Sequence, residues 1–279
     1  MQEFEYEARN GDKIKINYII EGDGEPLVLV HGSNTKLQAW NYQIDYFKSK
    51  IKVIAFDNRG SGKSSRPDYN YTMEMYVEDL KHVLDHLEMN EPIHLCGISL
   101  GGMIAQKFAL EYPEKIKSLI LLATEPVITK IKVNNTLAVY EDFENWTFEE
   151  KFQFVLRLIY TPSFKRKLKK DTELKEKLEN NMNFIACRED EPEQKDYINQ
   201  YKALDGFDVR EKLPELKCPT LIMVGSADVN TPPKGSEEIH ELVPNSELKI
   251  LDKMRHGFTI ENHEEVNAHM WEFLRKQLA

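Results

Sequence analysis

Polar and apolar residues alternate through "KIKINYII" (13–20), a pattern that predicts a strand with one face toward water. The next apolar segments are continuous: "PLVLVH", "IKVIAFD", "PIHLCGI" and "KSLILLA". Unbroken runs of this length predict strands covered on both faces, the usual state of a parallel sheet. Between them the apolar spacing changes to three and four residues. Helices are predicted at about 37–48, 72–89 and 99–112, the second with Met73, Tyr76, Val77, Leu80, Val83, Leu84 and Leu87 on one face. Pro113 fits the end of the third. Strands alternating with helices predict an α/β fold, a mostly parallel twisted sheet with helices on both faces, joined by right-handed crossovers.

The alternation pauses after residue 124 and resumes after 210. "PTLIMVG" (219–225) and "LKIL" (248–251) read as strands, with helices at about 234–243 and 263–277. The intervening residues 125–210 contain no strand-like run. Phe148, Phe152, Val155, Leu156 and Ile159 recur there at helical spacing. The expected organisation is therefore a core of residues 1–124 and 211–279, interrupted by a helical insertion at 125–210. The basic run Lys165–Lys170 could suggest an anion site. Asp171, Glu173, Glu176 and Glu179 follow it, with Leu168, Leu174 and Leu178 interspersed, so a solvated amphipathic helix is the better reading.

Chemistry concentrates at the ends of the predicted strands. "GISLG" (97–101) fits G-x-S-x-G, with a strand before it and a helix after it. A serine on so sharp a turn is lifted clear of the sheet, and side chains at 97 or 101 would collide with the turn. Ser99 is thus a candidate nucleophile, but a serine hydroxyl needs a base. Of eight histidines, His256 alone follows the last strand in a loop, at the sheet edge where open α/β folds collect ligands. His82 and His86 share a helix without a metal motif around them and read as a surface pair; His94 lies within a strand; His240, His263 and His269 fall in helices. Asp228, in the loop after "LIMVG", can fix the imidazole tautomer. Asp252 and Glu125 are fallback acids. The chain order Ser99, Asp228, His256 is the order this architecture uses. Backbone N–H groups of Leu100 and of Ser33, in "HGSNTK", are the expected donors to an oxyanion. His31 is expected to shape that loop rather than act as a second base.

Net charge is −10, which argues against nucleic acid or an anionic membrane as partner. "MQEFEYEARNGDK" has neither a basic n-region nor an apolar core, so a cytoplasmic location is expected. Cys96, Cys187 and Cys218 lack metal spacing and read as buried, inert thiols. "SGKSS" has Asp57 where a phosphate-binding loop needs glycine, and "HEEVN" lacks the second histidine of a zinc motif. Neither a metal nor a cofactor is expected.

"HGSNTKLQAW", "FDNRGSGKSS", "GISLGG", "GSADVNTPP" and "HGFTIENHEEVN" together resemble the α/β-hydrolase family. The resemblance spans most of the chain outside the insertion. It implies that the Asp57–Arg59–Gly60 turn is structural and that the insertion is a cap over the active site. The most similar branch contains carboxylesterases, enol-lactonases, carbon–carbon bond hydrolases and cofactor-free haloperoxidases. This chain departs from common patterns at Arg255 (often glycine), Gly257 (tryptophan in carbon–carbon hydrolases) and Leu100 (tryptophan in proline iminopeptidases), and Ser99 stands where dehalogenases use aspartate. The expected function is hydrolysis of a small, largely apolar carboxylic ester through an acyl-enzyme. A lactone or a carbon–carbon bond is the alternative substrate. A hydrolase-like small-molecule receptor with little turnover is the alternative of another class.

Overall fold

The computed structural model describes residues 1–181 and 193–278. Cys187 and the side chain of Phe148 lie outside the described residues. In chain order the elements begin β1 (Gln2–Glu7), β2 (Lys13–Glu21), β3 (Pro26–Val30), α1 (Asn41–Phe47), β4 (Lys52–Phe56), α2 (Met73–His86), β5 (Ile93–Ile98), α3 (Leu100–Glu111) and β6 (Ile116–Leu122). Among the described residues, five helices follow: α4 (Lys130–Asp142), α5 (Phe148–Ile159), α6 (Pro162–Leu168), α7 (Thr172–Asn181) and α8 (Gln194–Lys202). The chain then makes β7 (Thr220–Gly225), α9 (Pro233–Leu242), β8 (Ser246–Leu251), α10 (Phe258–Glu261) and α11 (His263–Leu274).

All the strands belong to one sheet, ordered β1-β2-β4-β3-β5-β6-β7-β8. β1 and β2 run antiparallel to their neighbours, and every pairing from β4 to β8 is parallel. The continuous apolar runs occupy the sheet centre because both faces are covered there. Leu80, Val83, Met103, Phe108 and Ile239 of α2, α3 and α9 pack on one face. Ile44, Phe47, Val266, Met270 and Phe273 of α1 and α11 pack on the other.

The local differences from the sequence reading have physical causes. β1 was not expected, because its glutamates mask a period-two pattern. Phe4 stacks on His86 with ring centroids 4.2 Å apart, and Tyr6 on His82 at 3.9 Å. The histidine pair of α2 therefore seats an edge strand. The helix expected at 37–48 opens instead as a 3₁₀ turn over Leu37–Trp40. That turn is pinned by Asp57, whose carboxylate accepts from Leu37 N at 2.8 Å, Lys63 N at 3.0 Å and Asn17 Nδ2 at 2.7 Å. "SGKSS" thus wraps a carboxylate and is not a phosphate loop. Cys96 is fully buried and its thiol is pushed up by burial.

Between β6 and β7, helices α4 to α8 share an apolar cluster that includes Phe143, Phe152, Val155, Leu156, Phe164 and Tyr197. Their connectors to the sheet lie side by side. Val127 and Asp208 form an antiparallel bridge, Ile128 N donates to Phe207 O at 3.0 Å, and Val209 N donates to Pro126 O at 3.0 Å.

Arg59 and Asp79 form a fully buried ion pair, with Nη2–Oδ1 at 2.7 Å and Nε–Oδ2 at 3.2 Å. Burial opposes the charge on Arg59, yet Asp79 holds its guanidinium well above the ordinary value. Removing one member strands the other charge. Asp79→Leu alone is therefore expected to cost about 3–5 kcal/mol in urea denaturation, and adding Arg59→Met to recover most of it.

His31 and His94 are also fully buried, and burial pushes both imidazoles below the ordinary 6.5. Their folded forms are neutral, so the unfolded chain binds more protons as pH falls. The stability they contribute is present above about pH 6.5 and is lost as pH falls through their folded values. Unfolding free energy is expected to fall as pH drops below about 6.5 towards their folded values, and His94→Gln to make that fall shallower.

Candidate active site

Ser99 joins β5 to α3 with φ 55° and ψ −121°, a conformation that costs a non-glycine residue about 1–3 kcal/mol. Surrounding bonds hold it there. Ser99 N donates to Leu122 O at 2.9 Å, and its carbonyl accepts from Thr124 Oγ1 at 2.9 Å and Met103 N at 3.1 Å. The flanking glycines are required by contact. A Cβ at Gly97 would lie 2.1 Å from Gly101 O, and one at Gly101 would lie 2.1 Å from Val30 O.

The loop after β3 approaches this turn from the neighbouring strand. His31 fixes its shape. Asn58 N can only donate, and it meets His31 Nε2 at 3.0 Å; Gly32 O can only accept, and it meets Nδ1 at 2.7 Å. The ring is therefore the neutral Nδ1–H tautomer. Gly32 C=O and Ser33 N–H share one planar peptide, so holding the carbonyl aims the N–H. Among the described residues, neither Ser33 N–H nor Leu100 N–H has a protein acceptor. Leu100 is also the first residue of α3, where the helix dipole adds positive potential.

Asp228 and His256 come from the loops after β7 and β8. His256 Nδ1 lies 2.8 Å from Asp228 Oδ2, while Asp228 Oδ1 accepts from Asn230 N at 2.8 Å and Thr231 N at 3.1 Å. Burial opposes the charge on Asp228, but His256 and these two N–H groups outweigh it and hold the carboxyl below the ordinary aspartate value. Sequence reasoning missed Thr231. Its Oγ1 sits 3.0 Å from Asp228 Oδ2, 3.1 Å from His256 Nδ1 and 2.9 Å from Ala123 O. The one available signal was its position three residues after the acid, where side chains close loop turns. The fallback acids do not reach His256. Glu125 pairs with Lys132, and Asp252 is exposed beside Lys253.

Ser33, Ser99, Leu100 and His256 all border one cavity of about 250 Å³, and no hydrogen bond joins Ser99 Oγ to His256. The cavity is walled mainly by apolar side chains, among them Trp40, Met103, Phe143, Phe154, Leu158 and Tyr160. Phe152 lies within the cluster of the inserted helices, and Trp146 packs against Phe143 and Phe154. Those helices also grip the histidine loop. Gly257 N donates to Ile159 O at 2.9 Å, Thr161 N donates to Glu261 Oε2 at 3.0 Å, and the Arg255 guanidinium donates to Arg157 O. Arg255, unusual before a candidate catalytic histidine, therefore caps the end of α5.

A second serine–histidine–carboxylate series lies at the opposite edge of the sheet. His94 Nδ1 is 2.7 Å from Ser118 Oγ, and His94 Nε2 is 3.2 Å from Glu25 Oε2. Ser118 and His94 are both fully buried, so no substrate reaches the hydroxyl.

Among the described residues no group of three or more histidine, cysteine or carboxylate side chains could hold a metal, and no helix is long and apolar enough to cross a membrane. The profile of the alpha/beta hydrolase fold matches residues 25–263. A 3-oxoadipate enol-lactonase of Acinetobacter baylyi is 28% identical over 241 residues, covering 86% of this chain and 85% of that protein. A pimeloyl-[acyl-carrier protein] methyl ester esterase of Vibrio atlanticus is 26% identical over 255 residues, covering 85% and 90%. The structure of a thermophilic esterase from Thermogutta terrifontis superposes with a TM-score of 0.87 at 26% identity, covering all of both chains. Sheet order, strand-edge site and profile agree, and the chain belongs to the α/β-hydrolase family.

Proposed function

We propose that this hydrolase cleaves a carboxylic ester of a small, largely apolar acid through an acyl-enzyme on Ser99. The observation that carries the reading is the 2.8 Å bond between Asp228 and His256 at the rim of the cavity that the strained Ser99 also borders. His256 takes the proton from Ser99 Oγ as the oxygen attacks the ester carbonyl. The N–H groups of Ser33 and Leu100 stabilise the oxyanion. Asp228 keeps Nδ1 protonated and steadies the imidazolium, which then gives its proton to the leaving alcohol. Water repeats the sequence on the acyl-enzyme and frees the acid. The helices between β6 and β7, residues 125–210, act as a cap that closes the acyl pocket with residues such as Phe154 and Tyr160.

The similarity to an enol-lactonase over most of both chains favours a second substrate class, a lactone. The chemistry is the same, with the leaving oxygen still tethered to the acyl group. A substrate of either class is a small molecule, and the reading requires no metal or cofactor.

A fluorophosphonate is expected to label Ser99. Ser99→Ala is expected to lower kcat on a short p-nitrophenyl ester by at least about 10⁴-fold in a folded protein. An unlabelled Ser99, or unchanged turnover in the variant, sinks the proposal. Asp228→Asn keeps the packing but presents the wrong hydrogen-bonding pattern to Nδ1. Steady-state kinetics is expected to show kcat down by about 10³–10⁴-fold with KM little changed.

A further inference from the structure

The loop that carries Ser33 is held from two sides. On the core side, the peptide between Gly32 and Ser33 is fixed through its carbonyl by His31 Nδ1 at 2.7 Å and Thr35 Oγ1 at 3.0 Å. The following peptide, between Ser33 and Asn34, has no such partner in the sheet. Its N–H donates instead to Oε1 of Gln200, at 3.3 Å. Gln200 sits in α8, is 1% exposed, and spends its amide nitrogen on Gly60 O at 2.6 Å. One side chain from the inserted helices thus bridges the loop after β3 to the turn after β4. Asn34 itself has φ 58°, a strained value, and its side-chain amide is tied to the Tyr140 hydroxyl of α4. A strained residue persists only where its surroundings over-determine it, and here both extra ties come from the insertion.

We infer that Gln200 is a positioning residue that keeps the Ser33 N–H aimed at the oxyanion by fixing the peptide next to it. The inference rests on the reading of Ser33 N–H as an oxyanion donor. The bonds to Gly32 O hold only the carbonyl end of the peptide that carries the Ser33 N–H. Without Gln200 the Ser33–Asn34 peptide can turn as Asn34 leaves its positive φ, which shifts Ser33 Cα at the other end and tilts the N–H while leaving the apolar pocket intact. The oxyanion site is then complete only while α8 is seated, so the insertion contributes to rate as well as to substrate choice.

Gln200→Met conserves the length and volume of the side chain and removes both hydrogen bonds. On the p-nitrophenyl ester it is expected to lower kcat by about 10- to 100-fold, below the loss for deleting an oxyanion donor outright, with KM within about threefold. The inhibition constant of a trifluoromethyl ketone, which forms the tetrahedral adduct, should weaken by the same factor as kcat/KM. Hydrogen exchange of the peptide spanning 31–36 should accelerate. Gln200→Glu, which keeps an acceptor for Asn34 N–H, should retain more of kcat than the methionine variant and covers the case in which that variant does not fold. Wild-type kcat in folded variants, a loss confined to KM, or unchanged exchange at 31–36 overturns the inference. A wild-type protein that neither turns over the ester nor reacts with a fluorophosphonate instead defeats the underlying reading, and the catalytic role of Gln200 falls with it.

Discussion

The site depends on a turn that only one backbone path can make. At Ser99 the chain passes from strand to helix with a positive φ, and α3 begins so close to β3 and β5 that no side chain fits at 97 or 101. The strain raises the free energy of the fold locally. It is sustained by the hydrogen bonds at both ends of the residue and by the buried strands on either side. The close approach has a second effect. It brings the free N–H at the start of α3 beside the loop after β3, so Ser99 and the unpaired N–H groups of Leu100 and Ser33 are brought together by the same packing. Polarity, in this region, is supplied mostly by backbone, and the side chains that matter do so by orienting it.

The parts of this arrangement that were legible in the sequence share one property: each follows directly from a strand. A buried strand shows itself as a continuous apolar run, and the residue just past its carboxyl end is then located on the sheet edge. That logic picked out Ser99, Asp228, His256, Ser33 and Leu100, and the structure sets all five in the loops or helix start at that edge. Thr231 was overlooked because its hydroxyl acts across to a residue 25 positions away. Gln200 was illegible for a stronger reason. Its partners Asn34 and Gly60 are 166 and 140 residues distant, and the polar stretch that contains it looks like any solvated helix. β1 was hidden by composition, since its exposed glutamates dominate the eye although Phe4 and Tyr6 alternate with them.

Two sets of serine, histidine and carboxylate lie at opposite ends of the strands, and they differ in access and in surroundings. The one formed by Ser118, His94 and Glu25 is joined by hydrogen bonds throughout, but it lies where strands begin, with Ser118 and His94 fully buried. Helix N-termini and free N–H groups collect at the other edge, where strands end. Hydrogen-bond order alone is therefore a poor criterion for a catalytic group. Access and a nearby source of positive potential carry more weight, and the direction of the strands supplies both at one edge only.

The paired connectors at Pro126–Ile128 and Phe207–Val209 carry a consequence for how such a chain can change. Because the excursion from the sheet leaves and returns through adjacent strands of backbone, its ends are closed by the core itself. The segment between them can lengthen, shorten or be exchanged at little entropic penalty, since closure grows only slowly with loop length. The sheet is thus a fixed chassis and the excursion a replaceable module. The ties that run from the module to the loops at the strand ends, among them Lys132, Tyr140, Gln200 and the end of α5, mark positions at which a replacement must match the chassis.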